Sequence, residues 1–266
     1  MARVVLITGA SAGIGQAAAD LLHISGWTVV GASRRGTSSG GWQPIVMDVD
    51  SDAAVTEGVA GLLETHERLD AVVACAGWGL AGAVEQTPIA DAKDQLETNF
   101  WGAVRCVQAA LPVMRAQGGG RIVLVSSLGG LIGIPFQAFY SASKYAMEGY
   151  AEALAYEVDP FGIRVTLVEP GNIRTDFTSA RRDVAVADGD ETYSKRVKRA
   201  VEQMEKDERR GAPAAQVGVA IAKVLEAKRP PRRLTVGKSY ERAGVFAKRL
   251  LPYRLFEAAA KSSLGV

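Results

Sequence analysis

The 266-residue sequence has little cysteine and little histidine, and it has no long apolar run. Its two cysteines, Cys75 and Cys106, lie in apolar segments, which predicts buried thiols rather than a disulfide or a metal site. His23 and His66 are far apart and have no partnering cysteines, so we predict no metal centre. No apolar stretch approaches the roughly 18 residues that indicate a membrane-spanning helix. These absences argue against a disulfide scaffold, a zinc domain and an integral membrane protein.

The first residues also lack the pattern of a secretory leader. Residues 1–3 run directly into Val4-Val5-Leu6-Ile7, without a cationic region, a longer apolar core or a cleavage site. We therefore expect a cytoplasmic protein.

Neither sign of charge dominates the chain, but the charges are unevenly distributed. The sequence has 31 Lys and Arg and 29 Asp and Glu, a net charge of +2. Residues 228–266 carry ten Lys or Arg against Glu241 and Glu257, so the rest of the chain is acidic. A solvated or subunit-forming tail is the favoured interpretation, and attraction to an anionic carrier, a lipid surface or nucleic acid is the alternative. We disfavour nucleic acid because no recognised binding module or interleaved aromatic residues accompany the basic tail.

Short segments rich in Val, Ile and Leu alternate with longer helical patterns. This order predicts an α/β fold, in which a single Rossmann-type domain over residues 1–266 has a seven-stranded parallel sheet with helices on both faces. Strands of such a sheet are continuously apolar, as in Ile122-Val123-Leu124-Val125. The predicted strands are residues 3–8, 28–33, 45–48, 71–75, 121–126, 164–169 and 234–237.

Residues 174–213 interrupt this alternation. The segment is polar and charge-dense, contains Asp188-Gly189-Asp190, and follows the sixth predicted strand. An insertion at the carboxyl edge of the sheet is positioned to cover a ligand. Within it, the helical spacing of Val197, Val201 and Met204 indicates either a lid helix or ordinary packing.

Residues 239–266 form a basic C-terminal extension. Their apolar spacing predicts two short amphipathic helices separated by Pro252, with Arg and Lys opposite the apolar positions. Subunit packing or closure of a pocket is the favoured role, and docking on a membrane surface is the alternative.

A glycine-rich turn follows the first predicted strand and precedes a helical pattern. Glycine lets the backbone turn tightly and approach a pyrophosphate, which the free N–H groups and dipole of a helix N-terminus attract. A glycine turn without a ligand is the simpler alternative. The residues expected to contact a dinucleotide here are Gly9, Ser11, Gly13, Ile14 and Gly15.

The second predicted strand ends in Ser33-Arg34-Arg35. The carboxylate that would accept a hydrogen bond from an adenosine ribose 2′-hydroxyl is absent there. The arginine fork suits a phosphate ester instead, which favours NADP(H) over NAD(H) as the cofactor. Paired arginines after a strand are also common as solvated loop residues.

Four polar residues are candidates for chemistry. Tyr140 and Lys144 lie four residues apart in a helical pattern and so share a face, where an ammonium group can lower the tyrosine pKa. Taken alone, such a pair is more often a solvated helix surface. Ser127 ends the fifth predicted strand and can hold a substrate oxygen, or it can simply cap the strand end. Asn99 lies inside an apparent helix, which indicates a distorted backbone that holds water or an exposed position.

Together these residues resemble the short-chain dehydrogenase/reductase family over residues 3–238. The family's Thr-Gly-x-x-x-Gly-x-Gly pattern matches the turn that begins at Thr8, and its Tyr-x-x-x-Lys matches Tyr140 and Lys144. Ser127 stands 13 residues before the tyrosine, where the family has its catalytic serine. Asn99 stands 28 residues before that serine, where the family's fourth catalytic residue is expected.

Further motifs extend the resemblance to the cofactor. Residues 170–175 resemble the family's Pro-Gly-x-x-x-Thr, which implies that Pro170, Gly171, Ile173 and Thr175 hold the nicotinamide carboxamide, and Asp48-Val49 resembles its adenine-contacting pair. The family's Asn-Asn-Ala-Gly is Ala74-Cys75-Ala76-Gly77 here, so both asparagines are missing, while Ala76 and Gly77 still allow close approach of a cofactor. We interpret this departure as a loss of strand-stabilising hydrogen bonds that leaves the site intact.

The resemblance implies an oxidoreductase that uses NADP(H), bound partly through Asn99, Tyr140 and Lys144, to interconvert an alcohol and a ketone or aldehyde. Residues 133–170 look most like the 17β-hydroxysteroid and retinol dehydrogenase branch, which implies a bulky apolar substrate of steroid, retinoid or lipid type. A homodimer or homotetramer is also implied. The alternatives are an NAD(H)-dependent member, a non-catalytic NADP(H) sensor and a sugar-nucleotide epimerase or dehydratase, although the last is typically longer and has a different glycine pattern.

Overall fold

The computed structural model describes residues 2–38, 40–185 and 191–264. The predicted covering insertion is therefore described on both sides of residues 186–190, and Asp188, Gly189 and Asp190 lie outside the described residues. The last two residues of the C-terminal extension lie outside them as well.

The strands belong to one large sheet and two small ones. In chain order they are β1 (Val4–Thr8), β2 (Thr28–Ser33), β3 (Gln43–Val46), β4 (Ala71–Ala74), β5 (Leu80–Ala81), β6 (Gly120–Val125), β7 (Ile163–Pro170), β8 (Ile173–Arg174), β9 (Arg182–Asp183), β10 (Ala212–Pro213) and β11 (Arg233–Val236). The large sheet has seven parallel strands in the order β11-β7-β6-β4-β1-β2-β3, while β5 pairs with β9 and β8 with β10. The predicted α/β fold with a seven-stranded parallel sheet is confirmed.

Helices follow most of the strands. They are α1 (Gly13–Ile24), α2 (Asp52–His66), α3 (Ile89–Leu96), α4 (Gly102–Ala116), α5 (Ala138–Val158), α6 (Phe177–Ala180), α7 (Ser194–Arg209), α8 (Ala214–Glu226), α9 (Ser239–Leu250) and α10 (Tyr253–Leu264). Turns of 3-10 helix occur at Val84–Gln86, Leu128–Gly130 and Asp159–Phe161, and a π-helical turn occurs at Glu97–Trp101. Among the described helices, none combines the length and the apolar character needed to cross a bilayer.

Two hydrophobic cores cover the two faces of the large sheet. One core packs α2, α4 and α5 against the sheet through side chains such as Leu62, Val107 and Leu154. The other packs α1 and α8 against the opposite face through Leu22 and Ile221. Because both faces are covered, the strands β1 and β4 are buried along their whole length, as their continuous apolar sequences predict.

The largest difference from the predicted strands is at the sheet edge. Strand β3 covers Gln43–Val46, whereas the apolar pattern predicts residues 45–48. An edge strand needs fewer apolar residues and tolerates a proline, so Gln43 and Pro44 pair with Val30 and Gly31. The shift places Asp48 beyond the strand end, in the loop that faces the cleft described below.

The strand order reverses between β1 and β4. The chain proceeds from β1 through β2 to β3 on one side, then crosses to β4 and continues through β6 and β7 to β11 on the other. In open parallel sheets of this kind a ligand binds at the carboxyl ends of the strands beside the reversal. We therefore expect a ligand to bind against the loops that begin at Gly9 and Cys75.

Candidate active site

One cleft at the carboxyl edge of the sheet collects the residues predicted to carry function. Its volume is about 1170 Å³, and pockets for single small ligands typically measure about 300–1,000 Å³. The cleft therefore has room for a dinucleotide together with a second molecule. The predicted residues that line it are Gly9, Ser11, Gly13, Ile14, Gly15, Ser33, Arg34, Arg35, Asp48, Val49, Ala76, Gly77, Asn99, Ser127, Tyr140, Lys144, Pro170, Gly171, Ile173 and Thr175.

Besides the catalytic candidates, two groups of residues line the cleft. We call residues 9–15, 33–35, 48–50 and 75–77 the glycine-rich half, because the glycine turn and the strand ends form it. We call the lining residues within 176–182, 203–208 and 240–260 the helical half, because α6, α7, α9, α10 and the loops beside them supply it.

Glycine is required at three positions of the turn after β1. Gly9 and Gly13 have positive φ angles of 67° and 55°, which side-chain-bearing residues rarely adopt. A Cβ added to Gly15 would stand 2.4 Å from the carbonyl oxygen of Gly9, which no side chain can tolerate. Two of the first three residues of α1 therefore have no side chain at the cleft, which fits a pyrophosphate held at a helix N-terminus.

Two arginines follow β2 at the same end of the cleft. The Arg35 Nη2 atom donates to Ser11 Oγ at 2.9 Å, so this guanidinium connects the end of β2 to the glycine turn. Arg34 and Arg35 are exposed, and both line the cleft. A phosphate ester at this end would meet positive charge rather than a carboxylate.

The missing asparagines after β4 leave a compact, hydrogen-bonded loop. The backbone N–H groups of Cys75 and Ala76 both donate to Thr8 Oγ1 at 3.1 Å, so β1 and β4 remain tied at their ends. Burial raises the pKa of the Cys75 thiol to about 12, so the group is a protonated, unreactive thiol at neutral pH. Thr8 is a structural contributor that the sequence did not single out, although it opens the glycine motif.

Asn99 lies in the π-helical turn Glu97–Trp101 and is fully buried. Its Oδ1 accepts from the Trp78 backbone N–H at 3.0 Å, and its Nδ2 donates to the Trp78 carbonyl at 3.0 Å and to Ser143 Oγ at 3.2 Å. The backbone distortion expected at this residue is therefore present. Asn99 fixes the loop after β4 to α5, and a Cβ on Gly77 would stand 3.0 Å from its Oδ1.

Tyr140 and Ser127 meet at the centre of the cleft. Burial raises the pKa of Tyr140 to about 12, and a hydrogen bond with Ser127 acts in the opposite direction. Ser127 Oγ also accepts from the Gly129 N–H at 3.0 Å, so the serine caps the 3-10 turn after β6 as well as facing the tyrosine. The capping role that the sequence left open for Ser127 is therefore present, and its role toward a substrate oxygen stays a prediction.

Lys144 lies beneath the tyrosine, one helical turn further along α5. Its Nζ donates to the Val125 carbonyl at 2.9 Å and lies 5.9 Å from the centre of the Tyr140 ring. Burial lowers the pKa of Lys144 to about 8. The sequence predicts that this ammonium lowers the tyrosine pKa, but in the structure the loss of hydration outweighs any such effect and the pKa of Tyr140 rises.

Side chains from the helical half close over Tyr140. The Phe177 ring contacts the Tyr140 ring edge-on, with centroids 5.8 Å apart. Glu208 of α7 is paired with Arg181 and accepts from Thr178 Oγ1 at 2.7 Å. These residues come from segments that carry no motif, so sequence reasoning missed them; the only signal was the position of the insertion after the sixth strand.

The C-terminal helices complete the wall of the cleft. The lining residues they contribute are Tyr240, Glu241, Gly244, Ala247, Leu251, Phe256, Ala259 and Ala260. Most of these are small or apolar, so this end of the cleft suits an apolar molecule better than a sugar or a nucleotide.

Comparison with known proteins agrees with this geometry. A family model described as short chain dehydrogenase matches residues 3–185. A 3-ketodihydrosphingosine reductase of Bacteroides thetaiotaomicron is 38% identical over 260 residues, covering 97% of each chain. Retinol dehydrogenase 8 of Bos taurus is 40% identical over 192 residues, or 66% of this chain and 60% of the relative. The crystal structure of a short-chain dehydrogenase from Streptomyces avermitilis superposes with a TM-score of 0.85 at 30% identity, covering 100% of this chain and 99% of the other.

Proposed function

The chain belongs to the short-chain dehydrogenase/reductase family of alcohol and carbonyl oxidoreductases, whose members use NAD(P)(H), and from this premise we propose that it is an NADPH-dependent reductase of long-chain ketones. The observation that carries the proposal is that the Tyr140–Ser127 pair lines one cleft with a glycine-rich half that suits a dinucleotide and a helical half whose C-terminal part is mostly small or apolar. A sensor protein would not need this pair.

The cofactor assignment rests on the end of β2. Arg34 and Arg35 offer charged, planar donors at the place where an NAD-selective protein has a carboxylate. The residues proposed to hold the rest of the dinucleotide are the glycine turn, Asp48, Val49, Ala76, Gly77 and the loop from Pro170 to Thr175, together with Asn99, Tyr140 and Lys144. When bound there, the nicotinamide supplies a hydride to the substrate carbonyl carbon.

Residues of the chain itself transfer the proton that the reaction needs. In the reductive direction, Tyr140 gives its hydroxyl proton to the carbonyl oxygen as the alcohol forms, and its raised pKa keeps the phenol protonated until then. Ser127 orients the same oxygen and stabilises the negative charge that develops on it. Lys144 supplies positive charge near the phenolate. Asn99, which is held by the Trp78 carbonyl and Ser143, anchors a water through which protons reach Lys144.

The substrate assignment rests on the helical half and on one relative. Ala247, Leu251 and Phe256 provide an apolar wall beside Tyr140 and Phe177. The similarity over almost the whole chain to a 3-ketodihydrosphingosine reductase makes 3-ketodihydrosphingosine the first substrate to test. We propose a small-molecule lipid substrate of this class and no nucleic-acid partner.

We also propose that the protein is a homodimer or homotetramer. Helix α5 exposes Tyr145 and Tyr156 on one side, and Phe161 is exposed in the turn that follows the helix. Exposed aromatic residues on a long helix suit a subunit interface. Light scattering coupled to size-exclusion chromatography measures the assembly, and a monomer at micromolar concentration would contradict it.

The test of the proposed reaction is a comparison of substrates and cofactors. Oxidation of NADPH and of NADH is followed with 3-ketodihydrosphingosine, a ketosteroid, retinal and a β-ketoacyl thioester. We expect turnover with NADPH and the long-chain ketone. Faster turnover with NADH would overturn the cofactor assignment, and tight NADPH binding without turnover of any substrate would support a sensor.

A further inference from the structure

The two C-terminal helices have an outer face that the cleft does not use. Four residues on α9 or directly after it follow a helical spacing of four, three and four and line the cleft: Tyr240, Gly244, Ala247 and Leu251. Positions 242, 246 and 250 repeat every four residues on roughly the opposite side of the helix. Helix α9 therefore has one face toward the cleft and another toward solvent.

The solvent face of this helix pair exposes large apolar side chains. Phe246 is 63% exposed and Leu250 is 67% exposed, while Tyr253 and Leu255 at the start of α10 are 75% and 60% exposed. Single exposed apolar residues scattered over a surface are normal, but four large ones within ten positions form a cluster, and such clusters mark interaction sites. We call these four residues together with Arg242 and Arg254 the outer face.

The helix pair is also strongly basic. Residues 238–264 contain six Lys or Arg and two Glu, a net charge of +4. Neither carboxylate offsets the outer face, since Glu241 is buried and accepts from Asn172 and from the Lys238 backbone N–H, and Glu257 is paired with Lys261 at 2.8 Å. Arg242 and Arg254 are exposed.

These charges decide between two occupants of the outer face. In a symmetric dimer built on this face, the same patch of each copy would meet the other, so the basic surfaces would repel. An anionic surface instead complements them, and apolar side chains interleaved with Arg are the pattern of helices that lie in the lipid interface. Charge complementarity therefore favours lipid over a second copy.

We infer that the outer face of α9 and α10 docks the protein on an anionic lipid surface. Phe246, Leu250 and Leu255 enter the boundary between headgroups and acyl chains, Tyr253 lies at headgroup depth, and Arg242 and Arg254 contact lipid phosphates. Lys248 holds α9 to the protein body, because its Nζ donates to the Tyr145 hydroxyl at 2.6 Å and to the Leu131 carbonyl. The inner residues of the same helices line the cleft, so docking brings the cleft wall to the lipid surface.

Vesicle co-sedimentation of the full chain tests this inference. The vesicles are phosphatidylcholine alone and phosphatidylcholine mixed with phosphatidylglycerol. We expect binding to the mixed vesicles that weakens as salt rises, and much weaker binding to phosphatidylcholine alone. Binding that is equal for both compositions, or absent from both, would overturn the inference.

Two pairs of substitutions locate the surface. Phe246→Ser with Leu250→Ser removes apolar insertion, and Arg242→Glu with Arg254→Glu reverses charge; each pair should weaken binding to mixed vesicles by roughly tenfold or more. The matched controls are Ile24→Ser, which changes an 81% exposed apolar residue on α1, and Lys228→Glu, which changes an exposed cation of the same basic tail. The controls should bind as the unchanged protein does.

Two further readouts separate the inference from its rivals. If Phe246→Ser with Leu250→Ser reduces the oligomeric state and the lipid binding is unchanged, the outer face is a subunit interface and the inference is wrong. Because these side chains are exposed, the serine substitutions should leave the thermal unfolding temperature unchanged. If they lower it, the charge-reversal pair is used to test lipid binding instead. Vesicle binding needs no turnover, so it stands or fails independently of the proposed reaction.

Discussion

The glycine-rich half and the helical half of the cleft are held together in different ways. In the glycine-rich half, backbone geometry sets the shape: Gly9 and Gly13 have positive φ, and Gly15 lies against the Gly9 carbonyl. In the helical half, side chains from separate segments set it, as where Phe177 packs on Tyr140 and Glu208 pairs with Arg181. The first arrangement tolerates few substitutions, whereas the second can change its lining without changing the fold.

This difference matters for function because the two halves do separate jobs in the proposed reaction. A backbone-built site recognises what all members of a family share, the dinucleotide. A site built from side chains can be adapted to one substrate. Substitutions in the glycine-rich half should therefore change dinucleotide binding without changing substrate recognition, and substitutions in the helical half should do the reverse. Four predictions test that separation.

Of these four, Ser127→Ala should have the largest effect, because it removes the group that stabilises charge on the substrate oxygen. We expect turnover to fall by about 10²–10³-fold, while NADPH affinity stays close to that of the unchanged protein. Steady-state kinetics and a fluorescence titration with NADPH measure the two quantities. Loss of NADPH binding in the variant would break the separation of the two halves.

Replacing Arg34 and Arg35 with serine should affect only the glycine-rich half. Loss of charge-assisted hydrogen bonds to the 2′-phosphate should weaken NADPH binding by roughly tenfold to a hundredfold, with NADH binding little changed. Turnover at saturating NADPH should be retained. An equal loss of affinity for both dinucleotides would show that the arginines support the loop rather than select the phosphate.

Gly15→Ala tests whether backbone geometry limits the glycine-rich half. Its Cβ would meet the Gly9 carbonyl at 2.4 Å, so we expect a loss of about 1–3 kcal/mol of folding stability together with weaker NADPH binding. Gly61→Ala is the matched control, because Gly61 also lies in a helix, α2, and a Cβ there meets nothing within 4 Å. The control should be neutral or slightly stabilising, by about 0.5–1 kcal/mol, in thermal or urea unfolding.

The pH dependence of reduction should sharpen the role of Lys144, which lies between the two halves. Its pKa is lowered to about 8 by burial, so the side chain is cationic below that pH and neutral above it. Tyr140, with a pKa raised to about 12, stays protonated throughout this range. We expect kcat/KM for ketone reduction to fall by up to about tenfold per pH unit above 8. A profile that stays flat to about pH 10, the ordinary lysine value, would contradict this role.

The two halves also differ in how well the sequence predicts them. Every residue proposed for the glycine-rich half lines the cleft, because glycine spacing after a strand reports a backbone conformation directly. For Asn99 the sequence offers a distorted backbone or an exposed position, and the structure shows the distortion in a buried π-helical turn. The motif residues Ser127, Tyr140 and Lys144 also came together as expected.

Long-range packing in the helical half gave no comparable signal. The contact of Phe177 with Tyr140 and the pairing of Arg181 with Glu208 join residues that are far apart in the chain and carry no recognisable spacing. The predicted direction of the Tyr140 pKa shift was also wrong. The sequence shows the neighbouring charge of Lys144, but it does not show how deeply the tyrosine is buried. Burial depends on which helices close over the site, and that is decided by tertiary packing.

The central claim is that the Tyr140 hydroxyl transfers the proton, while the other residues of the dinucleotide site are sufficient to bind NADPH without that hydroxyl. Single-turnover oxidation of bound NADPH by 3-ketodihydrosphingosine, compared between the unchanged protein and Tyr140→Phe, tests it most directly. The control is Tyr156→Phe on the same helix, because that side chain is 70% exposed. The account predicts that Tyr140→Phe binds NADPH normally and oxidises it about 10²–10⁴-fold more slowly, while Tyr156→Phe reacts at the unchanged rate. A Tyr140→Phe variant that oxidises NADPH at the unchanged rate would contradict the account.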